Sequence, residues 1–340
     1  MLAGGIFMDR ESAMSLDRKI RLAIALSSAP YSEKERLIME RRTPYDGSAA
    51  EREASEALSL AKKAGAKVTA VGDPDYPEQL YMMESPPMVL YYRGDLSVVE
   101  RSCIAVVGSR DCSEYGRFAA RMASSAASRC GACIVSGGAR GVDTEAHLAA
   151  LYNEGKSACI LGCGVDVAYP AENRRLFNSI AENGVLISEY PPGFKPKKWT
   201  FPMRNRIIAA LASAVVVAEA KDKSGSLHTA AYAEEWNRRV YAVPGDIRSE
   251  GSRGVHQLIQ MGARLLSHPS ELAADLISFN PECIGWRMED IGLLDIPVEK
   301  TFVSRITGLQ QDIIERYIFQ SRKSFSVEPV GDSRIIFRKI

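Results

Sequence analysis

The chain has 340 residues, 46% of them hydrophobic, and a formal net charge of only +1. That is enough length and apolar content for one large α/β domain with smaller appendages. The near-zero charge excludes attraction of a polyanion by the molecule as a whole, so any nucleic-acid affinity must come from a local basic surface.

In chain order, residues 1–66 read as an N-terminal helical region. Amphipathic spacing predicts helices over Ser15 to Leu26 and Ser32 to Arg41, parted by Pro30, and a third over 47–66 stopped by Gly65. Val68 to Val71 reads as a short strand, GDPDYPEQL (72–80) as an extended connection enforced by its prolines, and Met88 to Arg93 as another strand.

From Cys103 the pattern changes to short β-branched runs, glycine-bearing turns and helical spacing. The predicted strands are Cys103 to Gly108, Ala132 to Ser136, Ala158 to Gly162, Val185 to Glu189, Ala214 to Glu219, Val240 to Val243 and Arg264 to Leu266. Helices such as Asp143 to Asn153, Ala171 to Glu182 and Ser226 to Asn237 alternate with them. Apolar runs without alternation imply strands buried on both faces, and strand-helix repetition implies right-handed crossovers. The expected fold is therefore α/β: a Rossmann-like, doubly wound, mainly parallel sheet over 67–280, with 67–100 as an extended lead-in. Residues 281–340 read as a short α+β tail, with helical spacing at Thr307 to Phe319 and a hairpin of Phe325 to Glu328 with Ile335 to Arg338. The tail is either a packing arm or a partial winged-helix remnant.

Seven cysteines scattered through apolar segments fit a reducing compartment. The Cys130/Cys133 pair straddles a helix end and a strand and lacks the further ligands of a zinc site, so it reads as structural. No basic segment followed by an apolar core and cleavage site opens the sequence, and the longest largely apolar run, Ala209 to Ala220, is too short for a bilayer. A cytoplasmic protein without a membrane partner is expected.

Ligands of a parallel sheet bind beyond the carboxyl ends of its strands, near helix N-termini. Small residues occupy those ends here: Gly108-Ser109-Arg110, Ser136-Gly137-Gly138-Ala139-Arg140-Gly141, Gly162-Cys163-Gly164 and Ser224-Gly225-Ser226. Their N–H groups can cradle phosphate, and Arg110 and Arg140 add guanidinium forks. The stretch Tyr190 to Arg206 carries Lys195, Lys197, Lys198, Arg204 and Arg206 with no acid between them. Phe194, Trp199 or Phe201 offers a base a stacking face worth about 1–3 kcal/mol. A single-stranded polyanion suits that composition.

Asp143 reads as the cap of a helix starting at Thr144, and His147, one turn on, as a structural hydrogen-bonding residue. Glu189 and Glu219, at strand ends, are either acids for N-glycosidic hydrolysis or partners of Arg204 or Arg206. The turn after the first strand of the repeats is GSRDCS rather than GxGxxG, and no P-loop motif occurs. No cofactor and no metal are expected.

Read in order, these segments resemble the DNA-processing protein A (DprA/Smf) family, within a wider Rossmann-like group that also holds cytokinin-activating phosphoribohydrolases. The matching stretches are GDPDYPEQL (72–80), VVGSR (106–110), SGGARGVDTEAH (136–147), GCGVDVAYPAENRRL (162–176), SEYPPG (188–193), FPMRNRIIAAL (201–211), VVVAEAKDKSGSLHTA (215–230) and VYAVPG (240–245). The resemblance implies a cytoplasmic, non-enzymatic protein that binds single-stranded DNA, forms a homodimer and loads the RecA recombinase in natural transformation or recombination. Gly108, Ser109, Arg110, Gly137, Gly138, Arg174, Lys198, Arg204, Asn205 and Arg206 match the family's phosphate and DNA pocket. Arg140, Ser224, Gly225 and Ser226 join them from the strand-end reading. A nucleotide phosphoribohydrolase and a nucleotide-sensing module remain alternatives on the same scaffold. Departures are the absence of a helix-hairpin-helix GxG turn near the N-terminus, an incomplete winged-helix pattern in the tail, and His256 where asparagine is common.

Overall fold

The computed structural model describes residues 47–279, 297–299, 325–330 and 334–339. The helices expected over Ser15 to Leu26, Ser32 to Arg41 and Thr307 to Phe319 lie outside the described residues. In order, the elements are α1 Gly47–Lys63, β1 Lys67–Ala70, β2 Val89–Gly94, β3 Cys103–Val107, α2 Glu114–Arg129, β4 Cys133–Ser136, α3 Val142–Tyr152 and β5 Ser157–Leu161. They continue with α4 Arg174–Asn183, β6 Val185–Ser188, α5 Thr200–Leu211, β7 Ala214–Val217, α6 Ser226–Glu235, β8 Arg239–Ala242, α7 Arg253–Gln260, β9 Arg264–Leu265 and α8 Pro269–Phe279. Towards the C-terminus β10 Pro297–Glu299, β11 Phe325–Val330 and β12 Arg334–Lys339 form a separate antiparallel sheet. Its β11–β12 hairpin contains the strand pair read from the sequence.

Among the described residues the main sheet has nine strands in the order β1-β2-β6-β5-β4-β3-β7-β8-β9. From β6 to β9 all neighbours are parallel, while β1 and β2 add an antiparallel edge. The lead-in segment is thus part of the sheet. The chain steps outward from β3 to β6, then returns to place β7 against the other side of β3. That reversal makes the carboxyl ends of β3 and β7 the topological switch point, where an α/β sheet opens a crevice.

Period-two geometry explains why the central strands read as unbroken apolar runs. In β3, Cys103, Ala105 and Val107 face a core closed by Ile207, Ile208 and Leu211 of α5, Ala230 and Ala233 of α6, and Val255 and Leu258 of α7. Ile104 and Val106 face the opposite core, filled by alanines of α2 and α3 and by Leu272 and Leu276 of α8. A third cluster joins α1 and α4 to the β1–β2 edge through Ala57, Tyr91, Phe177 and Ile180. Cys130 and Cys133 are buried cysteines at the α2–β4 join.

Tyr241, Leu258 and Leu266, in the apolar stretch 236–266, are buried within the chain, where they fill the two cores. No described helix is long and apolar enough to cross a membrane.

Candidate nucleic-acid interface

A cleft of about 670 Å³ opens at the switch point, between the turns that follow β3 and β7. Helix α5 forms one wall and is pinned to the sheet by Thr200, whose hydroxyl donates to Gly162 O at 2.6 Å. This fixes Lys198 and Phe201 at the cleft mouth. The lining includes the cations Arg110, Lys198, Arg204, Lys221 and Lys223, against one carboxylate among the described residues, that of Asp143. A low-charge molecule thus concentrates positive potential in one concavity, the condition for attracting a polyanion locally.

Of the residues expected in the site, the fold gathers Gly108, Ser109, Arg110, Lys198, Arg204, Asn205, Ser224, Gly225 and Ser226 around this cleft. Arg110 is exposed and stands 5.0 Å over the Phe201 ring, which also meets Tyr169 at 5.5 Å. Of Phe194, Trp199 and Phe201, Phe201 is therefore the one that lines the cleft. Phe194 is stacked on Tyr190 at 4.8 Å, and Trp199 lies edge-on to both while remaining 54% exposed. Asn205 Nδ2 donates to Gly225 O at 3.1 Å, tying α5 to the Ser224-Gly225-Ser226 turn at the start of α6.

The other expected residues lie outside the cleft lining. Gly137 and Gly138 are buried behind it, and Gly138 O accepts from Asn173 Nδ2 at 3.0 Å. Arg140 pairs with Glu172, and Arg174 is exposed at the first position of α4. Arg206 is mostly buried, donating to Glu189 and, at 2.9 Å, to Ser85 O. Arg204 does line the cleft but is only 4% exposed, with Nη1 donating to Gly137 O and Ile160 O.

Several side chains have partners other than those read from the sequence. Asp143 does not cap its helix: α3 begins at Val142 behind Gly141, and Asp143 Oδ2 accepts from Gly137 N at 3.2 Å and Ala139 N at 3.3 Å. Those two amides are therefore already satisfied by protein. Burial pushes the Asp143 carboxyl up and the Arg204 guanidinium down, while each charge draws the other back towards its ionised form. Glu189 has the arginine partner anticipated for it. Glu219 instead accepts from Ser113 N at 3.0 Å and from the Ser113 hydroxyl, at the N-terminus of α2. His147 is fully buried, with Nδ1 2.7 Å from Ser157 Oγ.

Sequence reasoning passed over Lys221, Lys223 and Tyr169. The signal for the lysines was present in KDK immediately before the Ser-Gly-Ser turn, with Asp222 between them concealing it. Asp222 points away towards Arg253 and Gln257. Nothing local marks Tyr169, which reaches Phe201 only through the fold.

The sequence profile of the family described as DNA recombination-mediator protein A matches residues 67–277, the whole segment that builds the sheet and the cleft. The chain belongs to this family. Members with comparable sequences include the DNA processing protein DprA of Streptococcus pneumoniae, 44% identical over 203 residues that cover 60% of this chain and 72% of that one. Protein Smf of Synechocystis is 43% identical over 208 residues, but the match spans only 52% of that protein's length. Among solved family structures, that of S. pneumoniae DprA superposes with a TM-score of 0.62 at 34% identity, covering 78% of this chain and 95% of the other. DNA processing protein A of Helicobacter pylori, described for its single-stranded DNA binding mode, gives 0.58 at 28% identity, covering 63% and 96%.

Proposed function

We propose that the switch-point cleft binds single-stranded DNA, with the unit 67–280 carrying the interface. The observation that carries this reading is the meeting of four exposed cations, Arg110, Lys198, Lys221 and Lys223, with the cleft-facing ring of Phe201. The cations would hold successive phosphates while Phe201 takes a base on its open side. An aromatic platform in a basic groove reads a strand without reading its sequence. The single-stranded DNA binding described for the H. pylori relative supports this assignment. In the same reading the protein acts stoichiometrically rather than as an enzyme, self-associates into a homodimer, and delivers the bound strand to the RecA recombinase.

The test is anisotropy of labelled oligo-dT and its duplex over a salt series. If four phosphates are neutralised, log K against log salt should slope at about −3 by the single-strand coefficient. Lys198→Ala should weaken binding and flatten that slope by about 0.7. A slope near zero, or equal affinity for duplex, would remove the phosphate-groove reading.

One observation favours a second reading: 670 Å³ lies in the range of small-molecule sites. A nucleotide-sensing role predicts saturable mononucleotide binding that oligo-dT fails to displace. A phosphoribohydrolase would release free base from nucleoside monophosphates and lose that activity on substitution of Glu189 or Glu219.

A further inference from the structure

Arg204 stands apart from the other cleft cations because its charged group is built into the interior. A buried carbonyl left without a donor costs about 1–3 kcal/mol. Two buried carbonyls sit beneath the cleft, Gly137 O just after β4 and Ile160 O within β5. Arg204 reaches across from α5 and donates Nη1 to both, at 2.5 Å for Gly137 O. Its Nε donates to Asn205 Oδ1 at 3.1 Å.

The same loop is gripped from its other edge. Gly137 N–H and Ala139 N–H both point to Asp143 Oδ2. A Cβ at Gly137 would overlap the guanidinium nitrogens of Arg204 and force them to shift. The loop then runs to Val142, whose N–H donates to Ser109 O at 3.2 Å, next to Arg110. Loop position is thereby transmitted to the turn that presents an exposed cation.

We infer that Arg204, Gly137 and Asp143 form a buried clamp that sets the cleft floor and the Gly108-Ser109-Arg110 turn, so that Arg204 is a positioning residue and not a phosphate contact. The functional part of this inference rests on the single-stranded DNA reading. The planar fork is essential to it, because a lysine ammonium is a point charge on a flexible stem and does not reproduce the guanidinium geometry.

The test pairs oligo-dT anisotropy over a salt series with hydrogen-deuterium exchange of the DNA-free protein, for wild type, Arg204→Lys, Arg204→Gln and Gly137→Ala. Arg204→Lys is expected to raise Kd by about tenfold or more although charge is kept. Gly137→Ala, which removes no charge, should do the same, and both should speed exchange across residues 136–141 while the β3 and β7 amides stay protected. Near-wild-type binding by Arg204→Lys, with Arg204→Gln cutting the salt slope by about 0.7, would make Arg204 a phosphate contact and overturn the clamp. Unchanged exchange in Arg204→Lys and Gly137→Ala would overturn it as well. Should Arg204→Lys fail to fold, Gly137→Ala still supplies both readouts. If wild type shows no salt-sensitive oligo-dT binding, the DNA reading falls while the exchange measurement alone decides the clamp.

Discussion

At the residue scale, His147 shows how burial alone sets a protonation state. Its Nδ1 meets Ser157 Oγ, its Nε2 has no hydrogen-bond partner among the described residues, and burial, with the nearby Arg204 charge, pushes its pKa from 6.5 down to about 3. The unfolded chain therefore takes up a proton near pH 6.5 that the folded chain refuses until about pH 3. Stability contributed by the neutral ring is fully present above 6.5 and falls as pH drops below it. Urea denaturation should show a loss of about 2 kcal/mol from this residue between pH 6.5 and pH 5. His147→Gln should flatten that part of the profile. The cleft lysines make a second prediction at this scale. Lys221→Ala combined with Lys223→Ala should reduce the salt slope of oligo-dT binding by about 1.4 without changing the unfolding midpoint.

At the element scale, helix α2 is held at its start by a relay from another part of the chain. Ser113 Oγ accepts from Gly116 N at 3.1 Å and donates to Glu219, which also accepts from Ser113 N. Cap removal costs about 0.5–2 kcal/mol, so Ser113→Ala should lower the unfolding free energy by about that amount in equilibrium denaturation. The antiparallel edge of the sheet depends on Gly94, at φ +107°, where a Cβ would overlap the carbonyl oxygen of Gly184. Gly94→Ala should therefore destabilise by more than about 2 kcal/mol, read from the same denaturation curves. Neither contact is visible from spacing, because each joins segments from different strand ends.

At the scale of the whole molecule, the cleft exists because β7 returns to the flank of β3 after the chain has stepped out to β6. That return brings VVGSR and KDKSGS face to face although roughly a hundred residues separate them. Self-association belongs to this scale too. Within 236–266 the large apolar side chains left exposed are Ile247, Met261 and Leu265. Sedimentation equilibrium at micromolar concentration should give twice the single-chain mass, and a constant single-chain mass would oppose the homodimer.

Residue order alone carried the class of fold, the strands of the parallel sheet to within a residue or two at most ends, and the small residues at their carboxyl termini. It could do so because hydrophobic period and turn chemistry are local properties of the chain. It also placed cations near an aromatic-rich segment, which is the origin of the single-strand reading. Which cations remain available to a ligand depends on how the chain packs. Arg206 is drawn to Glu189, Arg140 to Glu172, and Arg204 to the carbonyls of Gly137 and Ile160, whereas Arg110, Lys198, Lys221 and Lys223 stay exposed at the cleft. Burial and pairing depend on neighbours brought together by strand order, and a count of charges along the sequence carries no record of that order.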